Sequence, residues 1–355
     1  MSNSPGLLLR LAELGWLGVS LPAEYGGGGL TPEQNTVLES EMRRLRCRPP
    51  QINLGIWMLG PVVLEFGSEE QKRELLPPMA RGEIRWCQGF SEPNAGSDLA
   101  SLKTSAVDAG DHFVVNGTKI WTSYGDKSDW MYMLVRTNPD VPKQQGISLL
   151  VVDMTSPGIE ARPIDLISGK SSFCQVFFDN VKVPASCLLG EEGDGWVVSQ
   201  RGLNLDRVGA WRYLISVKRD EDIVNWLKSG DERAAPLKDD AAVRDKVAEL
   251  WIEGQVCRLM TMRSMTIEQR GQAFNYEGAA EKVWAPEHGV RTTEAIGQML
   301  GPHAQLLNGS PDNVQDGLYA HNLLSAFQST VNHGSVQVMR DQIARKGLGL
   351  PKPRK

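Results

Sequence analysis

The sequence predicts an α+β protein in which a β unit stands between two helical ones. Apolar residues recur at helical spacing up to about residue 82, then alternate in short β-rich runs between about 86 and 190. Helical spacing returns from Gly195 onward. The implied organisation is an N-terminal helical domain at 1–85, a central, mostly antiparallel β domain at 86–190, and a C-terminal helical domain at 191–355.

The first helix is marked by Leu7, Leu8, Leu11 and Leu14 and stops at Gly15. In "PAEYGGGGLTPEQ" a glycine-rich loop leads to Thr31 as N-cap, with Pro32 at the first helical position. Gly67 ends a further helix, Ser68 and Gln71 fit a capping box for the next, and Pro77 is expected to halt it. In the β part, Asn116-Gly117 between β-rich runs predicts a hairpin turn. "DWMYMLVRT", "GISLLVVDM" and "CQVFFDNVKVP" follow as strands separated by Asp, Pro and Gly turns. Further on, Val243, Val247, Leu250, Trp251 and Cys257 mark one face of a long helix. Pro286 interrupts or opens another helix, which Gly301 closes, and the last helix runs to about Lys346 before "GLGLPKPRK".

A chain of 355 residues needs more than one simple core, and 41% hydrophobic with 23% charged residues are ordinary globular values. The net charge of −5 gives no electrostatic reason for a nucleic-acid or anionic-membrane partner. No apolar run approaches the ~18 residues of a membrane span. The start, "MSNSPGLLLRLAELGWLG", lacks a basic segment and a small-residue cleavage site, so the expected location is cytoplasmic. Cys47, Cys87, Cys174, Cys187 and Cys257 are scattered, without a Cys-x-x-Cys pair, and the five histidines are equally dispersed. Neither a disulfide framework nor a metal site is expected.

Two stretches near the first boundary carry chemistry, and small-molecule sites favour such boundaries. "FSEPNAGSDLASLKT" places Ser91 and Ser97 around Pro93 and Gly96. By itself it reads either as a turn whose serines cap exposed amides or as a ligand-holding loop. In "GTKIWTSYG", Trp121 is followed by the hydroxyls of Thr122 and Ser123. An indole with hydroxyls at its rim suits a flat, polar-edged heterocycle, although an indole at a strand end also serves as core.

Together with "VFFDNVKVP", "LLGEEGDGW" and the terminal "GLGLP", these stretches resemble the acyl-CoA dehydrogenases, in the same order and at similar spacing. The resemblance runs from "LAELGWLGVSLPAEYGG" to the end of the chain. It implies a helical domain, a β domain and a C-terminal four-helix bundle, with FAD held between β domain and bundle and completed by a neighbouring subunit. By the same resemblance Gln88, Phe90 and Ser91 line the flavin and Ser97 approaches its phosphates or ribityl chain. Trp121, Thr122 and Ser123 lie at the ring. Ser97, Asn204 and Arg207 are the implied substrate contacts; Arg207 matches an arginine that touches CoA, and Asn204 stands where many relatives have Asp. The implied partners are an acyl-CoA thioester and an electron-transfer flavoprotein or similar acceptor.

The implied reaction removes a proton beside the thioester carbonyl while flavin N5 takes hydride from the next carbon, so a base must reach the α-carbon. Most relatives place a glutamate just before the terminal helix, where this chain has His333. A minority place it on the first helix of the bundle, where this chain has Asp206, a carboxylate one methylene shorter; Asp206 is the favoured base. An Arg-x-x-Phe-Gly element that reaches a neighbour's FAD in many relatives is missing from "WLKSGDERAAPLKDD". "QMLGPHAQLL" resembles the branch acting on steroid side chains, some of which form heteromers. The expected assembly is therefore a homotetramer or a heterotetramer, and the expected acyl group is bulky or cyclic. A flavin monooxygenase of the same fold and a non-catalytic subunit completing a partner's site are the alternatives.

Overall fold

The computed structural model describes residues 5–45, 54–169, 171–207 and 210–351, without the side chains of 5–8, 32, 43, 204–207, 210–212 and 268. Two compact units divide the chain, residues 1–206 and 207–355.

The first unit opens with helices α1 (Pro5–Glu13), α2 (Pro32–Arg44), α3 (Gly60–Phe66) and α4 (Glu69–Ala80). Gly15, at φ +69°, ends the first turn region, and a Cβ there would come within 2.8 Å of the Gly27 backbone. Thr31 caps α2 as its sequence predicts, its amide donating to Gln34 Oε1 at 2.9 Å. Ser68 and Gln71 form the capping box of α4. Pro77 does not halt that helix: both Pro77 and Pro78 lie inside it. The prolines forfeit two intrahelical donors. Leu75, Leu76, Met79 and Ala80 are nevertheless buried around them, so packing decides the helix's length.

Strands β1 (Trp86–Gly89), β2 (Ser105–Asp108), β3 (His112–Ser123), β4 (Trp130–Arg136), β5 (Ile147–Asp153), β6 (Ile159–Ile164), β7 (Phe173–Pro184) and β8 (Leu188–Leu189) build one sheet in the order β6-β7-β3-β2-β4-β5-β8. It is mixed rather than wholly antiparallel, because β1 runs parallel along β4. The chain leaves β1 and returns through β2 and β3 before entering β4, and such an excursion permits parallel pairing. The Asn116-Gly117 hairpin is also corrected: both residues sit within β3, at a register shift between Val115 and Gly117. Gly117 has φ +149°, and a Cβ there would come within 2.6 Å of Thr104 Oγ1, so glycine serves a close approach rather than a turn. The β2–β3 turn is at Gly110, φ +95°.

Strands β4 and β5 are buried on both faces. Tyr132, Leu134, Leu149 and Val151 share one core with Met58, Leu59, Val62, Leu76 and Met79 of the helical part. Met131, Met133, Leu150 and Val152 join a second core with Phe113, Val115 and Val176. Helix α5 (Gly195–Arg207) follows, with Val198 in the first core.

The second unit contains α6 (Ala210–Leu227), α7 (Ala235–Lys238), α8 (Ala241–Gln269), α9 (Glu277–Leu300), α10 (Leu318–Ser325), α11 (Gln328–Val331) and α12 (Val336–Gln342). Helix α9 continues through Pro286, which neither opens nor interrupts it, and ends at Gly301. The inward face of α8 is Leu250, Gly254, Cys257, Thr261 and Ser264, while Trp251 is exposed. Small and polar members of that stripe hide it from a purely hydrophobic count. Thr261 and Ser264 both donate to the buried Glu281 carboxylate. Asp220 is buried with neither oxygen hydrogen-bonded and His288 Nε2 at 3.4 Å. Burial therefore raises its carboxyl above the usual range, only partly offset by His288.

Cys87, Cys174, Cys187 and Cys257 are free thiols, and burial pushes Cys87 up to about 12, which makes it unreactive. Cys47 lies outside the described residues. Among the described residues no helix is long and apolar enough to cross a membrane, and no group of His, Cys, Asp or Glu could hold a metal.

Candidate functional site

The two motif stretches meet in the first unit. Strand β1 delivers Gln88 and Phe90 to the start of a loop that turns tightly at Pro93-Asn94, where Glu92 and Ala95 exchange backbone hydrogen bonds of 3.0 Å. Ile120 N of β3 donates to Ser91 O at 2.9 Å, joining the loop to the second motif. Beneath the backbone contact lies a buried ion pair, Lys119 Nζ to Glu92 Oε1 at 2.8 Å. Glu92 also accepts Lys103 N at 2.7 Å and Thr104 N at 2.9 Å. Burial alone would push the Glu92 carboxyl up, but Lys119 and these donors outweigh it and hold it below the ordinary carboxylate range. The far end of the loop is held by Arg136 Nη2, which donates to Ala100 O at 2.6 Å and Leu102 O at 3.2 Å.

At the end of β3 the register shifts between Lys119 and Thr122. Trp121 there has φ +61°, a backbone region that bulky residues rarely adopt and that recurs at functional sites. The bulge turns its indole outward, 54% exposed, against the edge of Phe173 at 6.2 Å. Ser97 is exposed, and Ser91 and Ser123 are half-buried. Thr122 is fully buried between the exposed Trp121 and the half-buried Ser123, so it is not at the exposed rim. Behind the loop a small apolar cavity of about 10 Å³, room for about one water, is lined by Met58, Val62, Phe90, Tyr132, Val198 and Gly202, with Gln88 at its wall.

The residues present fit a flavin. An exposed indole offers a flat face, the serines supply hydroxyls at the rim, and the buried Gln88 Nε2 has no hydrogen-bond partner, as a site awaiting a polar ring edge requires. Gln88, Phe90, Ser91, Ser97, Trp121 and Ser123 are therefore the residues that would hold it. Glu92, Lys119 and Arg136, which bond the 90–104 loop, are not apparent from the sequence pattern. The only available signal is a charge inside each motif, at "SEP" and "GTK".

Asn204, Asp206 and Arg207 lie on the last turn of α5 by backbone, and their side chains are outside the described residues. His333 belongs to the second unit, in the turn between α11 and α12, with φ +52° and Gly334 following at +94°. That turn is braced by the buried Lys282 of α9, whose Nζ donates to Ser329 O and to Asn332 Oδ1. The geometry places the residues that would hold a flavin within one unit and His333 in a strained, supported turn of the other.

Residues 3–83, 87–181 and 193–348 match the N-terminal, middle and C-terminal domains described for acyl-CoA dehydrogenases. Acyl-CoA dehydrogenase IpdE1 of Mycobacterium tuberculosis (strain ATCC 25618 / H37Rv) is 34% identical over 353 residues, covering 98% of this chain and 88% of that one. Acyl-CoA dehydrogenase FadE34 of the same organism is 34% identical over 344 residues and 97% of this chain, which spans only 46% of FadE34. Among solved structures, the "Tcur3481-Tcur3483 steroid ACAD" aligns with a TM-score of 0.89 at 29% identity, over 99% of this chain and 90% of that one. The chain belongs to the acyl-CoA dehydrogenase family, whose members are FAD-dependent flavoproteins acting on acyl-CoA.

Proposed function

We propose that this chain desaturates the α,β bond of an acyl-CoA thioester whose acyl group is bulky or cyclic, of steroid type. The observation that carries the reading is the union of the two motifs around the outward-turned Trp121, with the unpartnered Gln88 Nε2 beside them. The named substrate class of the steroid relative supports the acyl group. Bound FAD supplies the two-electron acceptor for the hydride leaving the β-carbon. Asp206 takes the α-proton, and Arg207 and Asn204 hold the CoA portion. An electron-transfer flavoprotein or similar acceptor then removes the electrons.

Anaerobic titration of the purified protein with straight-chain and steroid side-chain CoA thioesters tests the reading. The expected result is bleaching of the flavin absorbance by the bulky esters in preference to the straight ones. A folded sample whose flavin no thioester bleaches would instead be a non-catalytic subunit, and oxygen-dependent hydroxylation would identify a monooxygenase.

The assembly is a tetramer of one chain or of two related chains. The motivation is the family resemblance, in which a neighbouring subunit completes the FAD site, together with the missing Arg-x-x-Phe-Gly element. Light scattering is expected to give a tetramer mass; an FAD-saturated, active monomer would refute it.

A further inference from the structure

We propose that the buried Glu92–Lys119 ion pair is the positioning device of the flavin rim: it cross-links the 90–104 loop to the bulge of β3 and so holds Trp121, Ser91 and Ser123 in place. The inference rests on the flavoprotein reading above. Stability alone does not account for the pair. Two charges taken out of water cost more than their attraction reliably returns, and an apolar pair of similar volume often stabilises a fold as well or better. What charges add here is direction. Lys119 Nζ donates to Glu92 Oε1 at 2.8 Å and to Phe90 O at 3.3 Å. Glu92 accepts the amides of Lys103 and Thr104. Every one of these bonds ends on the segment that carries Ser91 and Ser97. Lys119 itself stands two residues before Trp121, at the register shift. A left-handed tryptophan persists only where its surroundings over-determine it, and this cross-link stands behind the Ile120–Ser91 backbone hydrogen bond and the Phe173 ring that hold Trp121 directly.

The pair also has a pH signature. Burial pushes the Lys119 ammonium down to about 8 against the pull of Glu92; Arg136 is the other charged group facing it. Because the folded value lies below the ordinary 10.5, folding linked to this group gains as pH rises from about 8. Loss of the ammonium weakens the cross-link over the same range, so flavin affinity falls while that part of the stability rises.

The test compares wild type, Lys119→Met and Glu92→Gln/Lys119→Met as assembled proteins, by FAD titration and by amide hydrogen exchange without flavin. Both variants are expected to bind FAD about 10- to 100-fold more weakly, the order of effect seen when an outer partner of a bound group is removed. Segment 117–124 should exchange faster in both, while 130–136 keeps its protection. The double variant should unfold at nearly the wild-type denaturant concentration, and its affinity should lack the decline above pH ~8 expected of wild type. Recovery of affinity together with stability in the double variant overturns the proposal, since the pair would then serve the fold alone. A wild type that takes up no FAD defeats the flavoprotein reading and this inference together. Variants that bind as tightly as a flavin-loaded wild type defeat the inference alone.

Discussion

Asp206→Asn is expected to lower the rate of flavin reduction by about 10²–10⁴-fold, the usual cost of removing a general base. Asparagine keeps the shape of the side chain and removes its ability to accept the α-proton, so FAD content and CoA-ester binding should change little. The position lies on the last turn of α5, the alternative site for the base implied by the family resemblance. The usual position holds His333, in the left-handed turn braced by Lys282. Aspartate is one methylene shorter than glutamate, and a misplacement of ~1 Å can cost on the order of a hundredfold unless the backbone compensates. Asp206→Glu therefore tests reach, and His333→Gln should have a much smaller effect than Asp206→Asn. Stopped-flow measurement of flavin bleaching separates the cases. Abolition by His333→Gln with near wild-type rates for Asp206→Asn would transfer the role to the histidine.

Lys119→Met is expected to destabilise the protein by about 3–5 kcal/mol, because it leaves the Glu92 carboxylate buried without its cation. Against the ~5–15 kcal/mol that holds a typical domain together, that is a large fraction. In the wild type Glu92 is held below the ordinary range only because Lys119 and the backbone donors outweigh burial. Without Lys119, burial prevails and the folded-state value rises above the unfolded one. Stability linked to a raised carboxyl is fully present at low pH and is lost as pH rises through the folded value. The variant should therefore lose less at pH 5 than at pH 8, and Glu92→Gln in the same chain should restore most of the loss. Urea midpoints at the two pH values measure both effects. An unchanged midpoint at pH 8 would mean that the pair contributes no net restraint.

Features that depend on near neighbours are legible in the amino-acid order alone. The capping box of Ser68 and Gln71, the Thr31 cap, the strands around 130–136, 147–153 and 173–184, and the order of the flavin motifs are all legible there. Propensity, periodicity and cap chemistry act over a few residues, which is the range a linear pattern can report. Tertiary structure decided the rest. Asn116-Gly117 is a bulge and not a hairpin because Thr104 approaches Gly117 too closely for a side chain. Helix α4 continues through Pro77 because burial of Leu75 and Leu76 before it and of Met79 and Ala80 after it outweighs the missing donors. Trp121 turns outward only because the bulge reverses its backbone. Glu92 and Lys119, 27 residues apart, pair only when the sheet brings the loop after β1 against β3. Charge pairing and close backbone approach depend on distances in space, and no local pattern encodes which distant residue will occupy that space.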